Sequence, residues 1–119
     1  MNTINNGTNE NIINKNFSPN GRILTEPFRT DNNSLGNDKI IINYYKIGCL
    51  ITYSIQAEIQ KKIFCKYPHP QDGFFESVWE CKQDARNYLQ TFCDQNRLKK
   101  AFNRLVPTLT DQLDLFDEI

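Results

Sequence analysis

The amino-acid sequence predicts an α+β fold: a small antiparallel sheet of three or four strands, packed by one main helix and a short second helix. Three observations carry this prediction. The first is that residues 50–67 have the pattern of a β-hairpin, and the second is that residues 77–105 carry two apolar stripes with helical spacing. A third is that both ends of the chain are polar. At 119 residues, the chain has room for one modest core.

The hairpin is the clearest β element. Apolar and polar side chains alternate through residues 51–59, the period of a strand with one buried face. The polar segment Gln60-Lys61-Lys62 predicts a turn, and residues 63–67 predict the returning strand. An earlier strand is predicted at residues 40–45, which are β-branched and aromatic, and Phe74-Phe75 adds a short candidate.

The main helix is predicted to begin at Ser77, because Ser77 and Glu80 have the spacing of a capping box. Its apolar stripe consists of Val78, Cys81, Ala85, Tyr88, Leu89 and Phe92. After the polar residues 94–96, the stripe of a second short helix consists of Leu98, Ala101, Phe102 and Leu105. Proline lacks the N–H that continues a helix, so Pro107 is predicted to end this one.

Composition divides the chain into three parts. Residues 1–38 contain eleven asparagines and few apolar residues, which predicts a disordered arm. Within it, the apolar stretch Gly21–Phe28 either packs onto the domain, binds a partner or remains solvated. Residues 39–105 are the predicted domain, and residues 106–119 are a predicted flexible acidic tail.

Charge follows the same division. Basic minus acidic groups give 3 − 4 = −1 for residues 1–38, 11 − 6 = +5 for residues 39–105 and 0 − 4 = −4 for residues 106–119. The mildly basic domain makes DNA a candidate partner. The candidate phosphate contacts are Lys61, Lys62, Arg97, Lys99, Lys100 and Arg104. Tyr44, Tyr45 and Phe64 would stack on bases if exposed, but their strand positions favour core packing.

Enzyme chemistry is not predicted. The single histidine, His69, lies between two prolines, with no acid–base pair, nucleophile motif or phosphate-binding glycine loop near it. Cys65 and His69 have a spacing that zinc could use with Cys81 and Cys93, but the last two lie on or beside the apolar helix stripe and suit the core better. We therefore predict no metal and no cofactor.

The sequence also predicts no targeting signal. The N-terminus lacks the basic start and apolar stretch of a signal peptide, and no apolar run is long enough for a membrane span. We expect a cytoplasmic protein without membrane contact, whose four cysteines are free thiols.

The segment Gln112-Leu113-Asp114-Leu115-Phe116 places three large apolar residues within an acidic stretch. It resembles the pentapeptide by which bacterial polymerases, mismatch-repair proteins and initiation regulators bind the β sliding clamp, and all five positions agree. The resemblance implies that Leu115 and Phe116 enter a hydrophobic pocket of the clamp. It also implies that Gln112 hydrogen-bonds beside this pocket, while Leu113 and Asp114 shape the extended segment.

Two hypotheses follow from these patterns. The first is an accessory or regulatory protein of bacterial, phage or plasmid DNA replication or repair, whose partner is the β sliding clamp of DNA polymerase III. In this hypothesis the domain contacts DNA, another replication or repair protein, or the clamp itself. The second is a small nucleic-acid-binding module of a mobile element, in which the acidic tail masks the basic face. Under the second hypothesis, the charges of Asp111, Asp114, Asp117 and Glu118 matter and Leu115 and Phe116 do not.

Overall fold

The computed structural model describes residues 15–71 and 73–109, apart from the side chain of Thr108. Its strands are β1 (Arg29–Leu35), β2 (Asp38–Ile47), β3 (Leu50–Ile59) and β4 (Lys62–Lys66), and its helices are α1 (Val78–Gln95) and α2 (Lys99–Leu109). The predicted α+β class, with a four-stranded sheet and two helices, is confirmed.

The sheet is an antiparallel meander with the strand order β1-β2-β3-β4. Each connection is a two-residue turn that requires a positive φ. Gly36 (φ 65°) and Gly48 (φ 66°) supply it in the first two turns, where glycine carries no Cβ penalty. The third turn uses Gln60 (φ 52°) and Lys61 (φ 68°), which confirms the predicted hairpin and its turn.

The main core lies between one face of the sheet and the two helices. On this face Ile42 of β2 pairs with Ile55 of β3, and Tyr44 pairs with Tyr53; all four are at most 1% exposed. The two helices complete this core with the buried residues Val78, Cys81, Ala85, Leu89, Cys93, Leu98, Ala101, Phe102, Leu105 and Leu109. The predicted helix stripes therefore pack as expected, except that Tyr88 is 45% exposed.

The N-terminal boundary at residue 38 is wrong, because β1 (Arg29–Leu35) lies within the predicted arm. Its sequence is rich in asparagine, which disfavours strands on local grounds. Tertiary pairing outweighs this preference, since all seven residues of β1 pair with β2.

The segment before β1 is folded as well. Phe17 is buried and forms an isolated β-bridge with Ile23, and the Phe28 N–H donates to the Tyr44 carbonyl oxygen at 2.9 Å. Of the alternatives for Gly21–Phe28, the structure therefore shows packing onto the domain. Leu24 and Phe28 remain 58% and 45% exposed, so this packing leaves part of the segment's apolar surface in solvent.

The second helix does not end at Pro107 but continues to Leu109. Pro107 lies in the last turn, where its missing N–H costs one intrahelical hydrogen bond. Leu109 is 1% exposed and belongs to the main core, and burial of this side chain offsets the lost bond. The domain thus extends to Leu109, beyond the predicted boundary at 105. Within the described residues, neither helix combines the length and apolar character needed to cross a membrane.

Candidate functional site

The clamp-like pentapeptide Gln112–Phe116 lies outside the described residues, so its placement stays a sequence prediction. The structure does show where the described part of the chain ends before this segment. Leu109, the last described residue of α2, is fixed in the core, and in the sequence Thr110 and Asp111 separate it from Gln112.

The structure brings most of the predicted basic residues to one end of the molecule. Arg97, Lys99, Lys100 and Arg104 line a shallow depression of about 550 Å³. Gln60, from the turn between β3 and β4, lines the same depression, and the next two residues along the chain are Lys61 and Lys62. We call these six cationic residues the basic surface.

Two local structures position the basic surface. At the β3–β4 turn, the Gln60 N–H donates to Asp38 Oδ1 at 2.9 Å, which ties this turn to the start of β2. Between the helices, Asn96 caps α1 and Arg97 adopts a left-handed backbone conformation with φ 60°. The Leu98 N–H then donates to the Cys93 carbonyl oxygen at 2.8 Å, which closes the C-terminal end of α1 before α2 begins.

Both basic and acidic side chains lie around the basic surface, but the start of α2 carries positive charge that favours an anion. Lys99 and Lys100 occupy its first turn, which contains no acidic residue, although the helix dipole is positive there. A phosphate would therefore relieve repulsion at this point. Asp38 and Asp94 lie nearby: burial first, and then these two carboxylates, raise the pKa of Cys93 to about 11.

The aromatic residues considered for base stacking are unsuited to it. Tyr44 and Tyr45 are buried, and Phe64 is half-buried against the main core, with its ring centroid 5.1 Å from that of Phe92. The strand pattern correctly favours core packing for these three residues. Among residues 15–71 and 73–109, the aromatic side chains with large exposed fractions are instead Tyr67, Trp79 and Tyr88, together with Phe28.

The four residues of the zinc alternative do not come together. Cys81 and Cys93 are buried in the main core, on the helix-covered face of the sheet. Cys65 is exposed and pairs with Gln56, on the opposite face. Among residues 15–71 and 73–109, no three histidine, cysteine, aspartate or glutamate side chains form a group that could hold a metal ion.

A buried polar cluster that no local sequence pattern indicates lies between the sheet and α1. Lys82 is 3% exposed, and its ammonium lies 3.1 Å from Asp31 Oδ2. Asp31 also accepts hydrogen bonds from Arg29 Nε at 3.0 Å and from the Tyr44 hydroxyl at 2.9 Å. These four residues fasten β1 to the rest of the fold.

A second polar contact of α1 lies beside this cluster in the sheet. The Tyr53 hydroxyl donates to Asp84 Oδ2 at 2.6 Å, and burial together with this carboxylate raises the pKa of Tyr53. Tyr53 pairs with Tyr44 across the two central strands. Neither Lys82 nor Asp84 lines the depression of the basic surface, and we assign both contacts to stability.

Comparison of the chain with protein-family models, with curated proteins and with solved structures gives no match.

Proposed function

We propose that the protein is a non-enzymatic accessory or regulatory protein of bacterial, phage or plasmid DNA replication or repair, which acts in the cytoplasm. In this proposal it docks on the β sliding clamp of DNA polymerase III through Gln112–Phe116. The observation that carries the proposal is the agreement of all five positions of this segment with the clamp-binding pattern. Paired apolar anchors, Leu115 and Phe116, would supply most of the affinity, and the Gln112 amide would fix the register.

The position of Leu109 adds a geometric constraint. Three residues of fully extended chain span at most about 11 Å, so Gln112 lies no farther than this from the end of α2. A four-stranded sheet is wider than that, because its strands lie about 4.8 Å apart. A docked domain would therefore sit against or close to the clamp surface, where it occupies space that other clamp-binding proteins need.

The basic surface supports an accompanying contact with DNA. Arg97, Lys99, Lys100 and Arg104 surround one depression, so their charges act together on a phosphate backbone. This depression begins at the N-terminal end of α2, and the tail leaves at the other end, about 16 Å away for an eleven-residue helix. The two proposed contacts are thus separate and compatible with simultaneous binding.

The same arrangement favours a second candidate function, a nucleic-acid-binding module with an acidic autoinhibitory tail. Ten residues of extended chain span up to about 35 Å, enough for residues 110–119 to return to the basic surface. In that case the tail acts through the charges of Asp111, Asp114, Asp117 and Glu118, and the apolar side chains are replaceable.

Calorimetry with a bacterial β clamp tests the proposal. A peptide of residues 110–119 is expected to bind with a dissociation constant on the order of micromolar, because a few anchors must offset the ordering of an extended segment. In the full chain, replacing Leu115 and Phe116 by alanine is expected to cost about 2 kcal/mol or more for each side chain. Gln112→Ala is expected to cost about 1 kcal/mol, the value of one hydrogen bond.

The matched control is Asp117→Asn with Glu118→Gln, which removes charge and keeps the apolar anchors. Clamp docking predicts a small effect of this control, whereas charge masking predicts tighter DNA binding and no change at the clamp. Equal clamp binding by the wild type and the Leu115/Phe116 double variant would refute the proposal. A separate variant, Lys99→Gln with Lys100→Gln, tests the basic surface, and is expected to weaken DNA binding and reduce its salt dependence.

A further inference from the structure

A second cavity lies far along β4 from the basic surface. It has a volume of about 590 Å³ and opens where the segment before β1 meets the loop after β4. The lining residues are Asn20, Gly21, Arg22, Ile23, Tyr67, Pro68 and His69. This volume falls within the range of about 300 to 1,000 Å³ that small-molecule sites occupy. Tyr67 directly follows β4, so about 17 Å of strand separates it from Lys62.

One wall of the cavity is a tightly bonded turn. The Ser18 N–H donates to the Arg22 carbonyl oxygen at 2.7 Å, and the Arg22 N–H donates to Ser18 Oγ at 3.0 Å. Gly21 has a φ of 88°, which strongly favours glycine. These bonds fix the backbone from which the exposed Arg22 side chain extends.

The opposite wall comes from the loop after β4, and the two walls approach closely. A Cβ atom added at Gly21 would lie 3.1 Å from His69 Nε2 and 3.2 Å from His69 Cδ2. His69 Nδ1 accepts a hydrogen bond from the Gln71 N–H at 3.2 Å. The imidazole ring of His69 therefore forms the part of this wall that meets Gly21.

The chemistry of the lining is that of a site for a planar anion. Tyr67 is 62% exposed, and Ile23 and Pro68 are the apolar neighbours in the lining. Arg22 contributes a guanidinium group, and among the described residues that line the cavity none is acidic. A ring that stacks, beside a cation that pairs with phosphate, is the combination by which proteins hold the nucleotides of single strands.

We propose that this cavity binds one nucleotide, with its base stacked on Tyr67 and its phosphate paired with Arg22. A base and a phosphate are present in two kinds of ligand, a free nucleoside monophosphate and a nucleotide within single-stranded DNA. The site is independent of the tail and lies apart from the basic surface.

The test uses the full chain and two probes: thymidine 5′-monophosphate by calorimetry, and a fluorescein-labelled oligothymidylate by fluorescence anisotropy. Tyr67→Ala is expected to weaken binding about fivefold or more, the effect of losing one stacked base, while Tyr67→Phe keeps the ring and most of the affinity. Arg22→Gln is expected to weaken binding and flatten its salt dependence. The matched control is Tyr88→Ala, which removes a tyrosine that is 45% exposed on α1.

The results distinguish a free nucleotide from single-stranded DNA as the ligand, and binding at this cavity from clamp docking. Binding of the mononucleotide that is sensitive to Tyr67 supports a free nucleotide, and sensitivity with the oligonucleotide alone supports single-stranded DNA. The proposal is overturned if neither probe binds, or if Tyr67→Ala and Tyr88→Ala have equal effects. Clamp binding by the Tyr67→Ala variant is expected to be unchanged, so failure here is distinguishable from failure of clamp docking.

Discussion

The ammonium group of Lys82 lies 3.1 Å from the carboxylate of Asp31, and the two side chains are only 4% and 14% exposed. This ion pair joins α1 to the edge strand β1. Removing one partner of a largely buried pair leaves the other charge in a poorly solvated place, which is costly. The pair therefore decides how firmly an asparagine-rich strand, with little preference of its own for β structure, stays in the sheet.

We expect Lys82→Met to lower the free energy of unfolding by about 3 kcal/mol, because Asp31 would lose its buried counter-charge. Denaturant titration followed by circular dichroism measures this change. In a double-mutant cycle with Asp31→Asn, the double variant should lose less stability than the sum of the two single losses, by about 1 kcal/mol or more. Lys100→Met is the matched control: this exposed lysine should change stability by no more than about 0.5 kcal/mol. Similar losses for Lys82 and Lys100 would contradict the assigned role.

Asp31 also predicts a pH dependence. Burial alone would raise the pKa of this carboxyl, but the hydrogen bond from Arg29 and the charge of Lys82, with further hydrogen bonds from Tyr44 and Lys82, lower it below 3.8. A carboxyl with a depressed pKa in the folded state stabilises the protein fully above its unfolded pKa. This contribution is lost as the pH falls below about 4 and through the folded pKa.

Unfolding free energies measured between about pH 5 and pH 2 test this sign. The wild type should lose more stability over this interval than Asp31→Asn, whose side chain does not titrate. Equal slopes for the two proteins would show that Asp31 is not ionised and paired in the folded state.

The cysteines should divide into two reactivity classes. Cys49 and Cys65 are exposed, whereas Cys81 and Cys93 are buried in the main core. Burial and nearby carboxylates raise the pKa of Cys93 to about 11, which further suppresses the reactive thiolate. Iodoacetamide with peptide mass spectrometry should label Cys49 and Cys65 in the native protein, and all four after unfolding without reductant. Rapid native labelling of Cys81 would contradict the described packing.

The turns offer a matched pair of substitutions with opposite signs. Lys61 has a φ of 68°, which costs a side chain with a Cβ about 1 kcal/mol, so Lys61→Gly should raise the free energy of unfolding by up to that amount. At Gly36 (φ 65°) a Cβ would meet no atom within 4 Å, so Gly36→Ala should destabilise through backbone conformation alone, by about 1 kcal/mol. Thermal unfolding of both variants tests the signs, and the same sign for both would exclude this explanation.

The elements with local signals could be predicted from the amino-acid sequence alone. Alternation through residues 51–59 fixed the hairpin, and the capping box at Ser77 set the start of α1, where the Ser77 hydroxyl accepts from the Glu80 N–H. Apolar spacing identified most of the core face of both helices. The pentapeptide Gln112–Phe116 is likewise a sequence signal, and it stays a prediction because it lies outside the described residues.

Features that distant partners stabilise could not be predicted in this way, because they depend on how the chain folds in three dimensions. β1 has a weak local preference and forms because β2 and Lys82 hold it. Lys82 itself is a charged residue whose burial becomes favourable only beside Asp31. α2 continues past Pro107 because the core accommodates Leu109. The cavity between Arg22 and Tyr67 exists because the chain brings together two segments that are more than forty residues apart, a relationship that no local pattern encodes.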